Sequence, residues 1–205
     1  MQRVSSFKLW ILAFVPLFLS VATFAQTGGN SNTPVDISVQ FVDKSDNPDF
    51  ILYNVNKQLA IADFKGKPDM SSVGVGATFS GIQVSMEGQS GNGKMEVKVL
   101  MLVYFDKSQS WMKPEGQDER VLKHEQIHFD LTAIYACKMY QAILKEKFNS
   151  KNVKQRIHEI HDKLIDELQA RQALYDKQTQ HGTIAEQQKT WAENITKEKA
   201  AMGCL

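Results

Sequence analysis

An excess of one charge is missing from this chain of 205 residues: 24 Lys and Arg stand against 23 Asp and Glu, for a formal net charge of +1. That balance argues against an electrostatic binder of nucleic acid. Beyond residue 25 no apolar run approaches the roughly 20 residues that span a bilayer. Cysteine is down to two, Cys137 and Cys204, and no C-x-x-C spacing exists, so a cysteine-built zinc site is not expected. Repeats and low-complexity segments are absent as well.

What is present begins with an export signal. Arg3 and Lys8 form a positive start, residues 9–19 an apolar stretch broken by Pro16, and Thr23-Phe24-Ala25 a small-residue cleavage site. Residues 1–25 read as a cleaved signal peptide and not as an anchor. No Cys follows the stretch, which disfavours a lipid anchor. Losing Arg3 and Lys8 takes the formal charge to −1. The mature chain is expected in the periplasm or outside the cell. In such an oxidising compartment Cys137 and Cys204 are expected to pair, a cross-link that the chain-entropy model values at about 4 kcal/mol.

About 180 residues then remain, enough for one domain with a sizeable core. Residues 26–34 are polar, rich in Gly, Asn and Thr, and are expected to form a disordered leader. Residues 35–110 carry frequent Gly and Pro between short apolar runs, the pattern of antiparallel strands and turns. The clearest strand is 95–105, where Met95, Val97, Val99, Met101, Val103 and Phe105 share one face; Gly91-Asn92-Gly93 before it predicts a hairpin. From 115 to 205 the period becomes helical. One helix is expected over about 118–148, a second carries Val153, Ile157, Ile160, Leu164, Leu168 and Tyr175, and a third begins at a Thr183/Glu186 capping box. Strands first and helices second make an α+β domain over 35–205.

The first helix contains His124-Glu125-Gln126-Ile127-His128-Phe129-Asp130. Residues four apart lie on one helical face, so His124 and His128 present two imidazoles to one zinc, and Glu125 lies beside them as a general base. Such a site needs a third protein ligand and leaves the fourth position to water. Leu131 and Ile134 stand where the metzincin pattern requires Gly and His. The third ligand therefore comes from farther along. His181, at a turn beside Gly182, is the first choice and Asp176 the second; His161, His158, Glu146 and Glu159 are further possibilities. Tyr175 and Tyr135 could donate to a scissile carbonyl, although a Tyr on an apolar stripe usually packs in the core.

These residues also resemble a bacterial family of unknown function whose members are described as predicted secreted zinc-dependent proteases. The likeness rests on the motif through Asp130, on Tyr175-Asp176-Lys177-Gln178-Thr179-Gln180-His181-Gly182 and on Gln188-x-x-Trp191. Asp63-Phe64-Lys65-Gly66-Lys67-Pro68, Thr78-Phe79-Ser80-Gly81-Ile82 and Tyr104-Phe105-Asp106-Lys107-Ser108 add to it; Ile61 departs, where Trp is usual. The resemblance implies a zincin-like active-site helix and makes Asp130 part of the signature. Asp130 then becomes a candidate to orient a ligand histidine.

The expected function is a secreted zinc peptidase acting on peptides or proteins of the cell envelope. Zinc holds the attacking water and Glu125 moves its proton. An edge strand upstream of the motif helix would align the substrate by strand addition. A non-catalytic zinc-binding envelope protein, an interaction module and a hydrolase of non-peptide amides are the rival readings.

Overall fold

The computed structural model describes residues 32–205, so the expected signal peptide and the leader up to residue 31 lie outside the described residues. The end of that leader is tied down. Thr33 accepts a hydrogen bond from Ser150 N (3.0 Å), and Pro34 forms a bridge with Asn149.

Six strands precede three helices: β1 (Val35–Phe41), β2 (Phe50–Leu52), β3 (Gly76–Ala77), β4 (Ser80–Gly91), β5 (Lys94–Asp106), β6 (Trp111–Met112), α1 (Glu119–Lys145), α2 (Val153–Thr179) and α3 (Ala185–Met202). This is the α+β order that the sequence predicts. The hairpin forms where expected: Asn92 (φ 49°) and Gly93 (φ 75°) are both left-handed, as a two-residue turn between twisted strands requires. It joins β4 to β5 from Gly91↔Lys94 through to Ser80↔Phe105.

β5 is central. β4 flanks it on one side; β1 and β2 lie end to end on the other. The expectation of purely antiparallel strands is corrected here, because β1 runs parallel to β5. The polypeptide between Phe41 and Lys94 is long enough for the crossover that a parallel pair demands. On the inner face of β5, Met95 to Phe105 are buried as alternation requires. Toward its end the outer face closes too: Tyr104 stacks on Phe50 at 4.1 Å between ring centroids and covers Gly81, where a Cβ would lie 2.7 Å from the Tyr104 hydroxyl.

α1 starts at Asp118, whose carboxylate accepts from Val121 N (2.8 Å) as an N-cap. It touches β1, β3, β4 and β5 on one side and α2 and α3 on the other, so its middle is buried almost all round. Asn149 and Asn152 exchange side-chain and backbone hydrogen bonds in the turn to α2. The start of α3 differs from expectation. Ile184 is the N-cap residue, without a side-chain cap, and the Thr183 hydroxyl donates back to Gln180 O (2.8 Å). Cys137 of α1 and Cys204 are joined, with Cα atoms 6.0 Å apart, which holds the end of α3 against the central helix.

Candidate metal centre

His124 and His128 lie on one face of the first half of α1, with 3% and 7% of their surface exposed. Asp176 reaches them from the last turn of α2. The three form a group able to hold a metal ion. Asp176 Oδ1 is 3.0 Å from each Nε2, and the two Nε2 atoms are 3.3 Å apart.

The other imidazole nitrogens decide what this cluster is. His124 Nδ1 lies 3.1 Å from Gln188 Oε1 on α3, and His128 Nδ1 lies 2.9 Å from Gln172 Oε1 on α2. An amide oxygen only accepts, so each Nδ1 carries a proton, and each Nε2 is the nitrogen left to face Asp176 or a cation. A cation that takes the place of the Nε2 protons would meet three donor atoms there. Ligands on a tetrahedral zinc with bonds of about 2.0–2.1 Å are separated by about 3.3 Å, close to the observed triangle. In the protein without metal, burial pushes the His128 imidazole down, but its bond to Asp176 outweighs this and its pKa rises to about 9. Burial likewise raises Asp176, yet hydrogen bonds from His124 and His128, with the His181 ring nearby, hold it well below the usual carboxylate range.

Only 3% of the Glu125 residue surface is exposed, and no side chain or backbone among the described residues donates to its carboxylate, whose oxygens are not fully enclosed. Its surroundings are shaped by glycine: a Cβ on Gly76 of β3 would lie 2.8 Å from Glu125 Oε1. Thr78 Oγ1 donates to Glu125 O (3.1 Å), binding this segment to α1. Once a cation displaces the Nε2 protons, two imidazoles and Asp176, with Glu125 beside them, match the donor set and charge of a divalent-cation site.

Asp176, the second choice for the third ligand, is the one grouped with His124 and His128. Asp176 occupies the place proposed for His181, which is half-exposed with Nδ1 3.6 Å from Asp176 Oδ1. The backbone accounts for this, since Gln180, His181 and Gly182 are all left-handed (φ 46°, 52° and 78°). The chain turns over His124 there. A Cβ on Gly182 would meet the His124 ring at 3.1 Å, and Arg120 Nη1 donates to Gly182 O (3.3 Å). The turn places His181 at the rim.

The other expected positions have different roles. Tyr175 is fully buried, stacks on His124 at 4.6 Å and donates to Gln188 Oε1 (2.9 Å), so it packs and orients. Tyr135 is buried beneath the ammonium group of Lys138. Asp130 does not orient a histidine; it accepts from Tyr53 Oη, Gln126 Nε2 and Lys199 Nζ, linking α1 to the N-terminal half and to α3. Glu146 and Glu159 both bind Arg156, while His158 and His161 share Asp162.

Sequence reasoning missed Gln172 and Gln188 as the orienting pair. Gln172 had a signal in its spacing, four residues before Asp176 and hence on the same face of α2. Gln188 appeared only within a motif. Its oxygen serves two donors, while its Nε2 is the one buried side-chain polar atom among the described residues without a partner.

Neither the comparison with curated proteins nor the comparison with solved structures gives a match. Residues 107–182, which hold His124, Glu125, His128, Asp176 and the turn at His181, match the family described as a bacterial protein of unknown function (DUF922).

Proposed function

We propose that this protein is an exported zinc-dependent peptidase. The observation that carries the reading is the convergence of three metal-accepting atoms beside Glu125, whose carboxylate has no donor among the described residues and is left free to meet a water. Two histidines and one carboxylate are a ligand set found in catalytic zinc sites, which keep a coordination position open. Asp176 keeps 31% of its side chain exposed, so the site is open to solvent at this ligand. The disulfide fits an oxidising compartment. No helix among the described residues is long and apolar enough to cross a membrane.

A bound zinc would supply Lewis acidity, lowering the pKa of a water and polarising the scissile carbonyl. Glu125 accepts the proton as the water oxygen attacks the carbonyl carbon, then delivers it to the amine nitrogen as the C–N bond breaks. Gln172 and Gln188 hold both imidazoles in the tautomer that binds metal. β3 lies beside Glu125. The Lys113 N to Val75 O hydrogen bond makes Gly76 opposite Met112 a pair without mutual hydrogen bonds, so the Gly76 N–H and C=O point away from β6. An extended peptide can pair with that edge.

Glu125→Gln tests the reading. The variant should fold and bind zinc as the wild type does, while cleavage of a diverse peptide library falls by about 10²–10⁴-fold, the usual contribution of a general base. Equal cleavage at matched zinc content would remove Glu125 from the mechanism. No cleavage by either form would favour a zinc-binding module without catalysis.

A further inference from the structure

A cavity of about 410 Å³ opens between β4 and the beginning of α2. It is remote from the metal centre: Ile157 in its wall and Gln172 at His128 are 15 residues apart on α2, roughly 22 Å at the helical rise. Val84 and Met86 of β4, with Ile157 of α2, give it an apolar wall. None of the residues lining it is acidic.

Its polar groups are all cationic or neutral. Lys151 and Lys154 line it, and neither has a carboxylate partner among the described residues. His161, with 13% of its side chain exposed, spends Nδ1 on Asp162 (3.0 Å) and keeps Nε2 without a protein partner. The first turn of α2 contains no acidic residue, so the positive end of the helix dipole adds to the same potential. An apolar wall beside unpaired cations suits a ligand that is apolar along its length and anionic at one end. The volume is at the low end for small-molecule sites, roughly 300–1,000 Å³, which suits one acyl chain and not two.

We propose that this cavity binds a single-chain carboxylate amphiphile, a fatty acid of medium length. Its chain lies against Val84, Met86 and Ile157, and its carboxylate lies between Lys151 and Lys154. The proposal is independent of the peptidase reading. Calorimetric titration of the zinc-loaded mature protein with dodecanoate, below its micellar concentration, tests it. Acetate, dodecanol and dodecyltrimethylammonium separate head group from chain. Dodecanoate should bind at one site, and at least tenfold more tightly than any of the three controls. The double variant Lys151→Glu/Lys154→Glu should weaken dodecanoate binding at least tenfold, with zinc content and thermal stability as in the wild type. Met86→Trp, at the half-buried cavity wall, should block it. Absence of dodecanoate binding, equal binding of the cationic analogue, or binding unchanged in the double lysine variant would overturn the proposal; the last result would point to coordination of the carboxylate at the metal centre.

Discussion

Among the described residues two groups of two histidines and one aspartate occur, and only one brings its ligand atoms close enough together to hold a metal ion. His124, His128 and Asp176 come from two helices and are buried or half-buried; a glutamine fixes each Nδ1, so both Nε2 atoms converge on one carboxylate oxygen. His158, His161 and Asp162 belong to one helix and use the two different oxygens of the carboxylate. Their rings lie parallel, 6.4 Å apart. Half of the His158 side chain is exposed, and the carboxylate that both rings share belongs to their own helix. Residue types alone do not make a site. Convergence requires outside partners that fix the ring tautomers, and burial that makes unpaired lone pairs costly.

The largest effect tests that contrast directly. His128→Ala should eliminate stoichiometric zinc and peptide hydrolysis, whereas His161→Ala should keep one zinc per chain and the wild-type rate. Metal analysis of the purified proteins and the peptide-library assay read both. Zinc loss from the His161 variant would show that the second group contributes to metal binding.

A smaller effect separates the groups within the first cluster. Asp176→Ala removes an atom 3.0 Å from both imidazoles, whereas His181→Ala removes a ring at the rim. Competition with a chromophoric chelator should show zinc affinity falling by more than about 100-fold for the first and by about 100-fold at most for the second, since changes to groups behind the ligands cost about 10–100-fold. The reverse order would restore His181 as the third ligand.

The smallest effect is on stability against pH in the metal-free protein. The folded pKa of His128 is raised from 6.5 to about 9, so its contribution is fully present below pH 6.5 and is lost as pH rises through about 9. Asp176 is shifted down, so its contribution is present above its unfolded value of 3.8 and disappears only in stronger acid. Thermal melts should therefore show the metal-free Tm falling between pH 6.5 and 9. Zinc competes with the His128 proton, so its stabilising effect should grow over the same interval. A metal-free Tm that rises there would contradict the Asp176–His128 contact.

Much of the layout is local and could be read directly. Alternation from Met95 to Phe105 specifies a strand, Asn92-Gly93 its turn, and the stripe from Val153 to Tyr175 a long helix, because periods of 2 and 3.6 are properties of the backbone. The spacing of His124, Glu125 and His128 is likewise complete within one helical turn. The direction of β1, the third ligand and the roles of Gln172, Gln188 and Asp130 depend on contacts between residues far apart in the chain. Asp176 and His181 are five residues apart at the same helix end, and composition favours the imidazole. Three successive left-handed residues turn the chain so that Gly182 packs on His124, leaving the carboxylate inside and the imidazole at the rim. That choice is steric and is made only when α1, α2 and α3 pack together.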